Sequence, residues 1–386
     1  MPWKETCPMD ERVEFIGAYL SGAVPVTDLC AAAGISRKAA YKWIRRYELE
    51  GPRGLYDRSR ARHTQSHRTP ADQVERIIEV RKRHRWGPRK LRDRLQTLWP
   101  EEHWPAASTI GAILDREGLI KPRPKPRPKA TPSPHPLIEP QSPNELWTID
   151  FKGQFRMGDQ HLCFPLTLVD DYSRYILRCD GVHKVSREQI LPGLIKAFRR
   201  YGMPRTIRSD NGPPFATNGI AGLSKLGVWW KKLGIRQERI HPGHPEENGR
   251  HERMHRSLKQ EALPVIQPNM RQQQRVFDRW RSDFNEIRPH EGLDDRKPAQ
   301  VYQCSERCFS GAEQPITYPS SYLVRMVRLN GSIRWHSKLI YVGGALTSEP
   351  IGLEQIDEHR YNVYFTDLKI GMMDTELMKV LPMCPD

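Results

Sequence analysis

The stretch LWTIDFKGQF, residues 146–155, decides how the middle of the chain folds. Its leucine, tryptophan, isoleucine and phenylalanine residues predict a buried β-strand, yet Asp150 lies among them. A carboxylate inside an apolar strand costs free energy unless it has a partner or a task. A turn or a helix cap explains Asp150 poorly, so this position indicates chemistry.

The segments after this strand predict a mixed sheet flanked by helices. HLCFPLTLVDDYSRYILRCDGV, residues 161–182, predicts two strands around a turn. A helix follows at residues 186–201, and RTIRSDNG, residues 205–212, predicts a fourth strand that ends at Asp210. A further helix, a strand and a long helix complete the order β-β-β-α-β-α-β-α.

Asp150 and Asp210 are candidates for one metal site. Two carboxylates that project from strand ends near one point can hold Mg²⁺, which prefers oxygen ligands. A third carboxylate would complete a two-metal site. For Asp210 an alternative stays open, because Asn211-Gly212-Pro213 is a turn sequence in which aspartate is common.

The charge of the chain favours a polyanionic partner. The 386 residues carry a net charge of +16, and residues 51–100 hold 14 lysines and arginines against 5 aspartates and glutamates. No stretch has the roughly 18 apolar residues of a membrane span, and the N-terminus has no signal-peptide core. The seven scattered cysteines predict reduced thiols, so we expect a cytoplasmic protein without membrane partners.

Two helical modules are predicted before the sheet. In VTDLCAAAGISRKAAYKWIRRYELEG, residues 26–51, a short helix, a turn at Gly34 and a basic helix capped by Ser36 form a helix-turn-helix pattern, although an ordinary helical hairpin reads the same way. The second module follows a basic arm that suits phosphate contacts. The predicted DNA-binding residues of this front end are Arg37, Lys38, Lys42, Arg45, Arg58, Arg60, Arg62, Arg89 and Lys90.

The C-terminal part predicts a small β-barrel. VRMVRLNGSIRWHSKLIYVG, residues 324–343, has Asn330-Gly331 between alternating strands, which indicates a hairpin at that turn. YNVYFTDLKIGMMD, residues 361–374, predicts another hairpin.

Five motifs together resemble the bacterial insertion-sequence transposases whose DDE catalytic core is shared with retroviral integrases. They are WTIDFKG, LVDDYSRY, IRSDNGPPF, HPGHPEENGRHERMHRSLK and FNEIRPHEGLDDRKPAQVY, within residues 145–302. The resemblance implies an α/β ribonuclease-H-like core, transposon-end and target double-stranded DNA as partners, Mg²⁺ or Mn²⁺ as two ions, and a homo-oligomer of at least two chains.

The expected organisation is multidomain. It comprises a helix-turn-helix domain (1–60), a second helical DNA-binding domain (61–120), a proline-rich linker (121–144), the integrase catalytic core (145–303) and the C-terminal β-barrel (318–380).

The third carboxylate of the site is a choice among three glutamates in residues 241–259. Glu246 lies 36 positions after Asp210, which resembles the spacing in the family, but it stands at the helix start, where acids favour the helix dipole. Glu252 lies one turn in and shares a face with Arg256 and Lys259, which we predict to bind DNA phosphate. The family pattern N-G-x-x-E-R also matches Glu252, so Asp150, Asp210 and Glu252 are the predicted catalytic and metal-binding residues, with Glu246 as the rival.

The resemblance implies an enzyme that binds transposon ends, cleaves them by metal-dependent hydrolysis and joins the 3′-hydroxyl to target DNA. One alternative is a catalytically silent DNA-binding regulator derived from a transposase. Another is a plain ribonuclease-H-like nuclease, which would not need two DNA-reading modules. His241, His244 and His290 lack the spacing of zinc ligands and are interpreted as positioning groups near DNA.

Overall fold

The computed structural model describes residues 7–58, 68–120, 137–241 and 243–382. The chain divides into two compact units between Arg68 and Thr69. Arg60, Arg62 and the first part of the predicted linker lie outside the described residues. In the described part of the chain, no helix combines the length and the apolar character that crossing a membrane requires.

The first unit contains the three predicted helices of the front end. Its helices are α1 (Pro8–Leu20), α2 (Val26–Ala32) and α3 (Arg37–Glu50). The Ser36 hydroxyl accepts a hydrogen bond from the backbone N–H of Ala39 at 3.2 Å, so α3 begins as its N-cap sequence predicts. Gly34, with φ of 62°, makes the turn between α2 and α3.

The second unit begins with a three-helix module. Its helices are α4 (Ala71–His84), α5 (Pro88–Leu98) and α6 (Ala107–Arg116). Residues 85–87 separate α4 from α5, and Arg85 takes a left-handed conformation with φ of 54°. Ile77, Leu91 and Ile110 are fully buried, so the module has a core of its own.

A six-stranded mixed sheet forms the centre of the second unit. Its strands are β1 (Leu146–Phe151), β2 (Phe155–Arg156), β3 (Leu162–Asp170), β4 (Ile176–Val182), β5 (Thr206–Ser209) and β6 (Arg236–Arg239). The main order is β4-β3-β1-β5-β6, and β2 pairs with the start of β3. The neighbours β1, β3 and β4 are antiparallel, whereas β5 and β6 run parallel to β1.

Helices cover both faces of this sheet. They are α7 (Arg187–Tyr201), α8 (Lys225–Lys232), α9 (Gly249–Glu261), α10 (Met270–Ser282) and the short α11 (Pro298–Val301). Trp147 packs with Phe198 of α7 and Trp230 of α8 in one core cluster. Residues from the other side of the sheet pack with Leu258 of α9 and Phe277 of α10 in a second cluster.

A buried arginine ties the start of the core to the sheet. Arg208 of β5 forms an ion pair with Glu238 of β6 at 2.8 Å. Its other nitrogens donate to the carbonyl of Ile138 at 2.6 Å and to the carbonyl of Glu247 at 3.2 Å. Ile138 in turn donates its backbone N–H to Glu238 at 2.9 Å.

The predicted C-terminal β-barrel is wrong, because this region forms two open sheets. The five-stranded sheet has the order β13-β12-β11-β10-β7, and β8 and β9 form a separate hairpin. The strands are β7 (Leu323–Met326), β8 (Ser332–Trp335), β9 (Lys338–Tyr341), β10 (Pro350–Gln355), β11 (Arg360–Phe365), β12 (Leu368–Asp374) and β13 (Lys379–Pro382). Ile333 and Ile340 of the hairpin share one core with Val363 of the larger sheet, so its apolar face is buried without closure.

The hairpin predicted at Asn330-Gly331 is also wrong. β7 pairs with β10 rather than with β8, and the hairpin is β8 with β9, around residues 336–337. Gly331, with φ of 78°, turns the chain from one sheet to the other. The second predicted hairpin is confirmed as β11 and β12.

Candidate active site

Asp150 lies near the end of β1 in the middle of the sheet. Its side chain is 23% exposed, and its Oδ1 accepts a hydrogen bond from the backbone N–H of Phe151 at 2.7 Å. Its strand lies between β3 and β5, where it pairs with Thr167 of β3. The carboxylate is therefore fixed close to the main chain while one part of it still reaches solvent.

Asp210 comes directly after β5, the strand next to β1, and lies at the same height in the sheet as Asp150. The parallel register pairs Thr148 with Arg208, and two residues further along each strand the chain reaches Asp150 and Asp210. Oδ1 of Asp210 accepts a hydrogen bond from the backbone N–H of Gly212 at 3.2 Å. Burial raises the pKa of Asp210.

Glu252 completes an interacting set of carboxylates. It lies exposed in the first turn of α9. Burial, reinforced by the negative charges of Asp210 and Glu252, raises the pKa of Asp150 to about 7. Asp210 of the adjacent strand and Glu252 of α9 thus both act on the Asp150 carboxylate, as nearby like charges do.

The two competing glutamates have partners of their own in the loop before α9. Glu247 accepts hydrogen bonds from the backbone N–H and from Nδ1 of His241, both at 2.7 Å, and its side chain is 7% exposed. Glu246 pairs with Nδ1 of His244 at 2.8 Å. These contacts hold the loop together, which is a structural task for both acids.

Two buried histidines beside Asp150 were missed by the sequence reasoning. His251 and His255 lie one helical turn apart on α9 and are 1% and 2% exposed. They follow the inward spacing of Met254 and Leu258 on this helix, and this spacing was the available signal. Oδ2 of Asp150 lies 3.6 Å from Nδ1 of His255.

The hydrogen bonds around Thr167 define the tautomers of both rings. The Thr167 hydroxyl lies 3.1 Å from the carbonyl of Asp150, which can only accept, so the hydroxyl donates there. Its oxygen then accepts from Nε2 of His251 and from Nε2 of His255, both at 2.7 Å. Nδ1 of His251 accepts from the hydroxyl of Thr148 at 2.6 Å.

This arrangement leaves one lone pair directed at a carboxylate. Burial lowers the pKa of His251 far below its ordinary value and that of His255 to about 3, so both rings are neutral. Since Nε2 of His255 carries the hydrogen, its Nδ1 presents a lone pair toward Oδ2 of Asp150. Two facing acceptors need a proton or a cation between them. The donor atoms of Asp150, His251 and His255 lie within 4.8 Å of one another, but both nitrogens of His251 are already bonded to hydroxyl groups.

The predicted DNA-binding residues occupy several surfaces. Arg58 is paired with Glu50, Arg89 lies 3.4 Å from Glu291, and Lys90 is partly buried, which lowers its pKa to about 8. All of the described ones except Lys90 are exposed: Arg58 and Arg89, Arg37, Lys38, Lys42 and Arg45 on α3, and Arg256 and Lys259 on α9.

Comparison with protein families divides the chain in the same order. Models of the integrase core domain match residues 140–245 and 233–298. A helix-turn-helix domain model matches residues 11–63, and a homeodomain-like domain model matches residues 39–114.

The similar proteins include products of bacterial insertion elements. An uncharacterized 39.2 kDa protein of insertion element IS476 from Xanthomonas euvesicatoria is 29% identical over 60% of this chain and 65% of that protein. An uncharacterized 31.7 kDa protein of insertion element IS407 from Burkholderia multivorans is 30% identical over 42% of this chain and 57% of that protein. The chain thus spans about three fifths of the length of these relatives.

Among solved structures, the magnesium complex of the HTLV-2 integrase catalytic core domain is 15% identical, with a TM-score of 0.34 over 43% of this chain and 100% of that one. That likeness is too weak to carry a conclusion. The domain matches, by contrast, show an integrase core domain behind helix-turn-helix domains, and the chain is similar to products of bacterial insertion elements.

Proposed function

We propose that the chain binds the ends of its own element, hydrolyses the phosphodiester bond at each end and joins the freed 3′-hydroxyl to target DNA. The observation that carries this proposal is the partly buried Asp150 carboxylate between β3 and β5, whose pKa is raised to about 7 by burial and by the nearby charges of Asp210 and Glu252. Nearby carboxylates that shift one another's pKa are typical of sites built for a cation.

The site residues fit Mg²⁺ or Mn²⁺. Asp150, Asp210 and Glu252 would supply oxygen ligands for two such ions, and Oδ2 of Asp150 and Nδ1 of His255 direct lone pairs into the same space. Divalent cations at such a site lower the pKa of water and neutralise charge on the leaving oxygen.

The chain's own cations would orient the DNA. Arg256 and Lys259 are exposed on the face of α9 that carries Glu252, which suits contacts with the phosphates beside the scissile bond. Water then attacks phosphorus and the 3′-oxygen leaves as a hydroxyl group. In the second step this hydroxyl attacks a target phosphodiester, and a target 3′-oxygen leaves.

The front end would recognise the transposon end. The exposed cations of α3, the second helix of the helix-turn-helix pattern, suit insertion into the major groove. We propose that at least two chains bridge two ends, with the front end of one chain serving the active site of another. A mixture of a catalytic mutant and a DNA-binding mutant should then regain activity, whereas a mixture that stays inactive although both proteins assemble would refute exchange between chains.

The test uses the full chain, its flanking terminal repeats on a labelled fragment, a target plasmid and Mg²⁺. We expect nicking at the repeat and joined products, both lost in Asp150→Asn. End binding without cleavage, equal in wild type and Asp150→Asn, would instead support the catalytically silent regulator. If scrambled DNA binds as tightly as the terminal repeat at every salt concentration, the chain does not recognise the end specifically.

A further inference from the structure

A small cavity lies beside α9, on a face other than the one that carries Glu252. Its volume is about 170 Å³. It is lined by α5 of the helical module, by the turn after β3, by α9 and by the segment after α10, all within the second unit. The cations that line it are Lys90, Arg174, Arg250, Arg253 and Arg288.

These cations repel one another. Burial lowers the pKa of Arg174, and the charges of Arg250 and Arg253 lower it further. Burial likewise lowers the pKa of Lys90 to about 8, with Arg288 acting in the same direction. The positive charges from four separate segments are therefore held together against their mutual repulsion.

The acids around the cavity do not balance this charge. The lining carboxylates are Asp171 and Glu291. Asp171 already accepts from Arg250 at 2.7 Å and lies 3.9 Å from Arg174, and Glu291 faces Arg89 outside the cavity. Outside the lining, Glu139 pairs with Arg250 at 2.6 Å and Glu261 pairs with Arg288 at 2.5 Å. The positive charge that stays unbalanced among the described residues is therefore that of Lys90 and Arg253, together with Arg174, whose distance to Asp171 is 3.9 Å.

Donor atoms at this site lack partners. Nη1 of Arg174 and Nε of Arg288 are buried, and neither has a hydrogen-bond partner among the described residues. A buried donor without a partner costs roughly 1–3 kcal/mol, so two such guanidinium groups around one cavity indicate a missing ligand.

We propose that this cavity binds a phosphate group. Guanidinium groups offer planar pairs of N–H donors that match phosphate oxygens. The cavity is small, so it suits one or two phosphate groups rather than a nucleoside. The assignment goes beyond the proposed strand cleavage, because this site lacks the carboxylate cluster and would cut nothing.

A bound phosphate would fasten the helical module to the catalytic core. Lys90 belongs to α5, whereas Arg174 and Arg253 belong to the core. Without an anion these charges push the two parts apart, and with one they share a ligand. The phosphate could come from a DNA backbone or from a free phosphate anion, and the two sources are separable by experiment.

The experiment measures binding of inorganic phosphate and of pyrophosphate to the full chain by calorimetry and thermal unfolding, without divalent metal and at constant ionic strength in chloride. We expect saturable binding that stabilises the folded chain. Arg174→Gln should weaken it about tenfold or more. Arg199→Gln, the loss of an exposed arginine on α7, is the matched control and should bind within about twofold of wild type.

A second variant covers the case in which Arg174→Gln does not fold. Arg253 is exposed at the rim of the cavity, so Arg253→Gln should fold and still weaken phosphate binding. No stabilisation of wild type by phosphate or pyrophosphate would overturn the proposal, as would equal binding by wild type and both cavity variants.

A further measurement separates the two sources of phosphate by adding an uncleaved DNA duplex that carries the terminal repeat. If the duplex competes with bound phosphate, and Arg253→Gln abolishes that competition, the site takes a backbone phosphate. If duplex and phosphate bind together, it takes a free anion. Either result supports a phosphate site. Because no metal or cleavage enters these measurements, they stand even if the proposed transposition reaction fails.

Discussion

Helix α9 carries two clusters of like charge on different faces. The charge of Glu252 acts on Asp150 from one side of the helix, and Arg250 and Arg253 line the cationic cavity on another. Carboxylates dominate the first cluster and cations dominate the second. In both cases we propose that a counter-ion binds and relieves the repulsion between like charges.

A layer of uncharged buried side chains separates these clusters. It consists of His251, Thr167 and His255, and we call it the neutral wall. His251 lines the cationic cavity, and through Thr167 it is linked to His255 and so to Asp150. Because burial keeps both imidazoles uncharged, neither cluster can neutralise the other. The comparison teaches that one helix can hold groups of opposite charge apart on different faces when neutral buried side chains fill the space between them.

The largest expected effect tests which glutamate belongs to the carboxylate cluster. Glu252→Gln removes the charge that would hold a cation, so end cleavage should fall by about 100-fold or more, while end binding stays near wild type. Glu246→Gln is the matched control. Its acid is paired with His244, so its loss should change cleavage only mildly.

Cleavage of a labelled end by the two variants, beside Asp150→Asn and Asp210→Asn, is the measurement. If Glu252→Gln cleaves like wild type and Glu246→Gln is inactive, the third carboxylate of the cluster is Glu246, in the loop before α9.

A second prediction concerns the pH dependence of the carboxylate cluster. A carboxyl group whose pKa is raised from about 4 to about 7 makes the folded state less stable as pH rises through that window. In metal-free buffer at pH 8, Asp150→Asn should therefore be more stable than wild type by roughly 2–4 kcal/mol. At pH 5 the gain should fall to about a third of that value, because the unfolded carboxyl group is still mostly ionised there.

Urea unfolding with a chelator at the two pH values measures this difference. Added Mg²⁺ should stabilise wild type but not the variant, since only wild type keeps the full ligand set. Equal stability of the two proteins at pH 8 would contradict the proposed crowding of carboxylates.

The neutral wall gives a third prediction. Thr167→Val keeps the shape of the side chain but removes the acceptor for both imidazole N–H groups and the donor to the Asp150 carbonyl. The free energy of unfolding should fall by about 2–3 kcal/mol. Thr206→Val is the control, because Thr206 is a buried threonine of β5 that takes no part in the hydrogen bonds around Thr167, and it should cost much less. Similar losses in both variants would show that the Thr167 network contributes little.

The smallest expected effect concerns the cationic cavity. A lysine whose pKa is lowered to about 8 destabilises the folded state below that pH, and the cost disappears as pH rises toward about 10.4. Lys90→Met should therefore stabilise the phosphate-free chain at pH 6.5 by about 1–2 kcal/mol after allowance for solvent screening. Little gain should remain at pH 10.

Lys196→Met, at an exposed position of α7, serves as the comparison for Lys90→Met. If the two variants change the melting temperature alike at pH 6.5, the cavity does not crowd its cations.

Local patterns in the sequence predicted the carboxylate side of α9. The helical spacing placed Met254 and Leu258 inward, and both are buried. The same spacing placed Arg256 and Lys259 on the exposed face with Glu252, where they lie. Asp150 was identified because a carboxylate inside an apolar strand costs free energy unless it has a partner or a function. That Glu252 performs the last metal-binding role stays a prediction.

The cationic side of the helix was beyond sequence reasoning. Lys90 and Arg288 are nearly two hundred positions apart, and only the tertiary fold brings them to one cavity. His251 and His255 escaped notice because histidine counts as polar in a hydrophobicity pattern, although hydroxyl partners allow its burial here. The prediction of a C-terminal barrel failed because the alternation of apolar and polar residues predicts strands but does not predict which strands pair.

The anchoring of residue 138 affects how force reaches the active site. The Arg208 guanidinium donates to the carbonyls of Ile138 and Glu247 and forms an ion pair with Glu238. A pull on the chain from the N-terminal side is therefore taken up at β5, β6 and the loop before α9, rather than by peeling β1 from the sheet. In the proposed reaction, a load on DNA bound by the front end would reach the core beside the strand leading to Asp210 and the loop leading to Glu252. The residues that fix the chain mechanically would then lie next to the proposed catalytic carboxylates.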